Sequence, residues 1–167
     1  AGTTRYTVLL AFWNILIAKL ANEKDITVGT PLAGRRHPDL AQVVGMFVNT
    51  LALRNEADES KSLSTFIQEV RDNFRTAFEN QDYPLEKLVE QVWDGKIKDR
   101  NPIFDTTFSL THVEAGDTKS KDLSDEEIRF SPTEQPVKFD LSLASIDAGD
   151  QLRFTLSYST ALFFEDT

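Results

Sequence analysis

Cysteine is absent from the 167 residues, and histidine (two), methionine (one) and tryptophan (two) are scarce. Without cysteine there is no disulfide framework, no thiolate nucleophile and no thiolate metal site, a pattern that predicts a reducing, cytoplasmic setting. Basic charge is also in short supply. Eighteen Lys and Arg against 27 Asp and Glu give a formal net charge of -9, so there is no basic footprint and nucleic acid is not the expected partner. Long apolar runs are missing too. The most apolar stretch, Tyr6 to Leu20, is broken by Asn14 and Lys19 and falls short of the roughly 20 residues that cross a bilayer. No basic segment followed by an apolar run and a small-residue cleavage site opens the chain, so no membrane or secretory role is predicted. An apolar content of 40% suffices for a core in one ordinary domain. The chain opens almost directly into the Tyr6 helix and stops at Ala161-Leu-Phe-Phe-Glu-Asp-Thr167, just as an apolar group begins. These ends predict a piece of a longer protein.

The patterning that is present predicts an alternation of helices and strands. Tyr6, Leu9, Leu10, Phe12, Trp13, Leu16, Ile17 and Leu20 cover nearly every side of a helix, which predicts packing on more than one face. Asp25 to Pro31 reads as a short strand. Gly34, Pro38 and Gly45 punctuate a loop with one helical turn, and Phe47 to Arg54 alternates as a second strand. Leu63, Phe66, Ile67, Val70, Phe74 and Phe78 recur at helical spacing behind a Ser62 or Ser64 N-cap. Pro84 suits the first turn of the next helix, through Leu85, Leu88, Val89 and Val92. A third strand over Phe104 to Leu110 leads into an acidic, apolar-poor stretch, predicted to be a mobile or crossing loop over about 114–136. A hairpin of Val137 to Leu143 and Leu152 to Tyr158, turned by Asp147-Ala-Gly-Asp150, closes the chain. The expected fold is α/β, a mixed sheet with flanking helices.

Machinery for chemistry is sparse. His37 and His112 lack the spacing of a metal site such as HExxH, there is no GxSxG elbow, and Gly29-Thr-Pro-Leu-Ala-Gly34 lacks the Lys of a phosphate-binding loop. His37 reads as a loop histidine bonded locally. Asp122, Asp125, Glu126 and Glu127 read as solvated loop carboxylates. Asp82, just ahead of Tyr83-Pro84, is placed to cap a helix start. Asn49 is expected to face inward with Phe47, Leu51 and Leu53, where a buried amide needs partners or lines a polar cavity. Arg54 and Arg100 can each clamp a carboxylate, structural ion pairing being the ordinary role.

Four segments then resemble, in order, the condensation domains of nonribosomal peptide synthetases: Asp25-Ile-Thr-Val-Gly-Thr-Pro-Leu-Ala-Gly-Arg35, Val44-Gly-Met-Phe-Val-Asn-Thr-Leu-Ala-Leu-Arg54, Gln81-Asp-Tyr-Pro84 and Arg100-Asn-Pro-Ile-Phe-Asp105. The resemblance runs over nearly the whole chain, and Tyr158-Ser-Thr-Ala-Leu-Phe163 is similar to the family's last strand entering its terminal helix. It implies that residues 1–167 are the C-terminal half of such a domain, a chloramphenicol acetyltransferase-like half domain truncated before its final helix, with a latch-like crossing near 114–136. The family's HHxxxDG motif belongs to the other half, and no adjacent histidine pair occurs here. By implication the whole domain forms an amide bond between aminoacyl or peptidyl groups tethered to phosphopantetheine arms of carrier proteins, beside an adjacent adenylation domain. This half would bind no cofactor directly. Asn49, Thr50, Arg54, Asp82, Tyr83, Arg100 and Asn101 would form or brace a tunnel wall, with no catalytic residue among them. The alternatives are a non-catalytic module that docks carrier proteins, an epimerising or heterocyclising relative, and, behind these, a stand-alone acetyltransferase using His37 or His112.

Overall fold

The computed structural model describes residues 2–35, 37–40, 42–93, 101–113 and 137–164. Arg100 and the predicted crossing segment 114–136 lie outside the described residues. The described elements are α1 (Arg5–Ala21), β1 (Asp25–Leu32), a 3-10 turn (Pro38–Leu40), β2 (Asn49–Glu56), α2 (Leu63–Glu79), α3 (Leu85–Val92), β3 (Thr106–His112), β4 (Leu141–Asp147) and β5 (Leu152–Tyr158). The strands form one mixed sheet in the order β2-β1-β3-β4-β5. The chain divides into two compact units, 1–108 and 109–167.

In the first unit, α1 starts where Thr4 Oγ1 accepts a 3.2 Å bond from the Thr7 amide. It stops at Asn22, in the left-handed region at φ 53°. Asn tolerates that conformation better than most residues, and helices commonly end this way. Thr7, Leu10, Ala11, Trp13, Asn14 and Ala18 are buried along one face. The sequence predicted packing on more than one face, yet Phe12, Leu16 and Leu20 remain exposed. The helix does meet two elements, Tyr6 lying on Phe74 of α2 and on Phe108 of β3, but apolar residues around a helix do not all find a surface to pack on.

β1 is central to this unit. It pairs antiparallel with β2 along its whole length, Asp25 with Glu56 through Leu32 with Asn49, and parallel with β3 at Val28 and Thr106. Burial of Ile26, Val28, Gly29 and Thr30 together fits a strand covered on both faces. Around it, the Tyr6 hydroxyl donates to Thr30 Oγ1 at 2.8 Å, and Thr30 Oγ1 donates to the Phe108 carbonyl at 2.7 Å. The Tyr6 ring lies 4.6 Å from Phe74 and 5.4 Å from Phe108 between centroids. Burial pushes the Tyr6 hydroxyl up to about 12 against the opposing bond to Thr30, so it acts as a fixed neutral donor. Trp13 Nε1 donates to Thr106 Oγ1 at 3.2 Å, tying α1 to β3.

α2 follows its predicted span, with Ser62 Oγ accepting from the Thr65 amide at 3.2 Å. α3 follows too, with Pro84 as its N-cap residue and no side-chain cap bond. Asp82, which the sequence suggested as the cap, lies two residues ahead of that N-cap position, where the chain enters the helix at the fixed φ of proline. β2 begins and ends two residues later than predicted.

In the second unit, β4 and β5 pair from Leu141 with Tyr158 to Asp147 with Leu152. The turn is closed by Ala148 N donating to Gln151 O at 2.9 Å, with Gly149 at φ 87°. The first hairpin strand was predicted from Val137, but pairing starts only at Leu141: Lys138 to Asp140 bend instead, and period-two alternation cannot show where a partner strand ends.

Candidate functional site

Three of the motif segments are bound to one another by side chains at their ends. Arg54, at the close of β2, grips Asp25, at the opening of β1, through Nε to Oδ1 at 2.8 Å and Nε to Oδ2 at 3.1 Å, with Nη2 also on Oδ2. This bidentate fork holds the Asp25 carboxyl below the usual carboxylate range, chiefly by hydrogen bonding. Both side chains are solvent-exposed. Beside the pair runs a chain of amides: Asn73 Nδ2 donates to Asn55 Oδ1 at 3.0 Å, Asn55 Nδ2 to Asn14 Oδ1 at 3.4 Å, and Asn14 Nδ2 to Leu10 O at 2.7 Å. Asn14 and Asn55 are buried, and buried amides persist only when so partnered.

Asn49, at the start of β2, is half-buried. Its Nδ2 donates to the carbonyls of Gln81 at 2.7 Å and Tyr83 at 3.0 Å, and its Oδ1 accepts from the Thr50 amide at 2.9 Å. Of the two expectations for this amide, hydrogen-bond partners or a polar cavity, the structure gives partners: it clasps the turn between α2 and α3. Gln81 is buried and donates to Phe78 O at 2.8 Å. Thr50 is half-buried, while Asp82 and Tyr83 are exposed.

Asn101 Oδ1 accepts from the amides of Ile103 and Phe104 at 3.0 and 3.2 Å. This turn delivers Phe104 onto Gly29 of β1, so closely that a Cβ at position 29 would lie 2.2 Å from Phe104 Cε2. Gly29 is thus the contact between the first motif and the fourth.

Sequence reasoning passed over Arg35. Its guanidinium donates to the carbonyls of Leu40, Val43 (2.9 Å) and Gly45 (3.4 Å) and lies over the Phe47 ring, 4.4 Å from the centroid. Gly34, at φ 64°, passes so near Phe47 that a Cβ would fall 1.8 Å from its carbonyl oxygen. The Gly34-Arg35 pair therefore holds the loop that leads into β2. A glycine-arginine dipeptide ahead of a proline-containing loop was the available signal, but which carbonyls it meets depends on the loop's path.

The histidines stand apart from these contacts. His37 Nδ1 accepts from the Asp39 amide at 3.3 Å, the local bonding that the sequence suggested. His112, ending β3, sits 3.6 Å from the buried carboxylate of Asp147. Among the described residues no three His, Cys, Asp or Glu side chains gather as a metal site. Two open depressions, of about 610 and 660 Å³, flank α2; of the predicted wall residues among those described, only Arg54 lines either, in the second. The arrangement braces the motif segments, and neither histidine lines either depression.

Comparison with known proteins agrees with this architecture. Gramicidin S synthase 2 of Brevibacillus brevis is 43% identical over 166 residues, covering 99% of this chain and 4% of that protein. The chain thus spans a small fraction of the length of such relatives. A four-domain nonribosomal peptide synthetase bound to AMP and glycine superposes with a TM-score of 0.82 at 24% identity, over 98% of this chain and 13% of that one. The condensation domain of the Monacolin K polyketide synthase MokA superposes with a TM-score of 0.75 at 18% identity, over 96% of this chain and 37% of that one. The family described as Condensation domain matches residues 1–167, and the chain belongs to the condensation-domain family of nonribosomal peptide synthetases.

Proposed function

We propose that the chain is the half of a condensation domain that walls its reaction tunnel, the catalytic histidine coming from an HHxxxDG-bearing first half. In the complete domain, the amine of one carrier-bound aminoacyl group attacks the thioester carbonyl of another carrier-bound group. The C–N bond forms, the C–S bond breaks, and the phosphopantetheine thiol leaves with a proton. Much of the rate of such a reaction comes from holding two tethered reactants in one geometry, and rigid walls serve that end. The supporting observation is the bracing of the motif segments: Arg54 on Asp25, Asn49 on Gln81 and Tyr83, and Phe104 on Gly29. Thr50, Asp82, Tyr83, Arg100 and Asn101 complete the wall in this reading. Peptidyl and aminoacyl carrier proteins, the first half and an adjacent adenylation domain are the partners.

The test is a condensation assay on the full-length gene product with both carriers loaded, read by mass spectrometry and chiral analysis of the released product. The expected product is the amide with unchanged stereocentres. An inverted stereocentre without a new amide, or loss of a further water, would replace this reading by epimerisation or heterocyclisation. No turnover at all would favour a docking module. Amide formation by the 167-residue chain alone would overturn the division between the halves.

A further inference from the structure

β2 ends the sheet, with β1 as its neighbour among the described strands, so its far side is an edge. The register fixes which backbone groups point there. Ala57 N donates to Lys24 O at 2.8 Å, one step beyond the paired residues Glu56 and Asp25, and hydrogen-bonded pairs recur at every second residue of an antiparallel ladder. Asn49, Leu51, Leu53 and Asn55 therefore bond to β1, while Thr50, Ala52, Arg54 and Glu56 turn their amides and carbonyls outward. A row of such groups, here running along the uncharged stretch Asn49 to Leu53, is a template for pairing with another strand.

Thr50, Arg54 and Glu56 each have an outward group already taken. Asn49 Oδ1 accepts from the Thr50 amide at 2.9 Å, and Asn73 Nδ2, on α2, donates to the Arg54 carbonyl at 3.3 Å. Lys61 Nζ donates to the Glu56 carbonyl at 3.1 Å, which also takes the Asp58 amide at 3.0 Å. Two of these capping side chains are themselves held in place, Lys61 by Glu69 at 2.9 Å and Asn73 by Asn55 Oδ1 at 3.0 Å. Among the described residues, Ala52 has no such partner on either group.

We infer that Asn49, Lys61 and Asn73 guard the β2 edge, keeping it from pairing antiparallel with the same edge of a second copy of this chain. With Ala52 of each copy on a two-fold axis, Thr50 of one would face Arg54 of the other, and Val48 would face Glu56. The Thr50 amide and the Arg54 carbonyl are the groups that would bond across the axis, and Asn49 and Asn73 occupy them. The Glu56 carbonyl, which Val48 would need, is occupied by Lys61. Ala52 alone could form a complete rung, and one rung does not offset the freedom lost on association. This role asks nothing of the reaction tunnel and stands apart from it.

The experiment is disulfide trapping through Ala52→Cys in the full-length gene product. Copies paired through this edge would place the two Cα atoms at position 52 about 5.5 Å apart, within the reach of a disulfide. This chain has no cysteine of its own, and peptide mapping identifies the link between the two introduced thiols. Ala52→Cys combined with Lys61→Met and Asn73→Ala is expected to link at least about tenfold faster than Ala52→Cys alone, as restored rungs require, and at a rate that rises with protein concentration. Lys61→Met without Asn73→Ala should give a smaller acceleration, and it serves where loss of the Asn73 bond to Asn55 unsettles the fold. Equal rates with and without these guards would overturn the inference. So would an equal acceleration by Trp13→Phe, which removes the bond from α1 to Thr106 of β3 and leaves the guards in place, because linkage would then reflect general loosening.

Discussion

Phe104 sits over Gly29 because no side chain separates them, and β1 owes its close cover on that face to a missing methyl. Gly29→Ala forces the Phe104 ring, 3% exposed, out of its place. Overpacking of this kind costs about 1–3 kcal/mol, so the midpoint of urea unfolding is expected to fall by that equivalent. Gly29→Ala combined with Phe104→Leu should lose less than the sum of the two single changes, since the pair is in direct contact. The glycine was plain in the sequence as part of Val28-Gly29-Thr30. Its partner was not, because the contact joins residues 75 positions apart and nothing in local patterning carries that separation.

α2, α3 and β2 form as elements for local reasons: helical spacing behind Ser62, a proline entry at Pro84, and alternation in β2. One amide, that of Asn49, ties β2 to the turn between the two helices. Asn49→Ala removes the donor to two turn carbonyls, one of them in a partly buried setting, and water can reach the Tyr83 side. A loss of about 1–2 kcal/mol in unfolding free energy is expected, with faster amide exchange at Gln81 to Leu85 as the local readout. Asn49→Asp should not rescue it, since a carboxylate has no donor for a carbonyl. In these elements the sequence was most legible where a period repeats, as in α1 and α2. It was least legible at ends, as in β2 and β4, where a missing partner and not the strand's own residues decides when pairing begins.

The chain as a whole is acidic, and its acid limit follows from carboxylates that the fold holds ionised. The Asp58 carboxyl is lowered from 3.8 to about 2, first by the Ser60 amide, then by the Ser60 hydroxyl and Lys24, the amide bond being 2.8 Å. Asp25 is lowered as well, by Arg54. A folded-state value below the unfolded one contributes stability that is present above the unfolded value and is lost as pH falls through the folded one. The melting temperature is therefore expected to drop between about pH 4 and pH 2, and Asp58→Asn should flatten that limb. Asp25 is exposed and Asp58 half-buried, both within reach of solvent ions, so the effect should shrink in high salt.

Composition, period and motif order were enough for the alternation of helices and strands, the mixed sheet and the family, because each is carried by neighbours in the chain or by short unbroken segments. The tertiary structure alone decided what the motif residues do. Arg54 meets Asp25, Asn49 clasps the α2–α3 turn, Arg35 gathers three carbonyls, and Phe104 covers Gly29. Each of these depends on a hydrogen bond or van der Waals contact only a few ångströms long, and such geometry exists only once the path of the folded chain has brought the groups together.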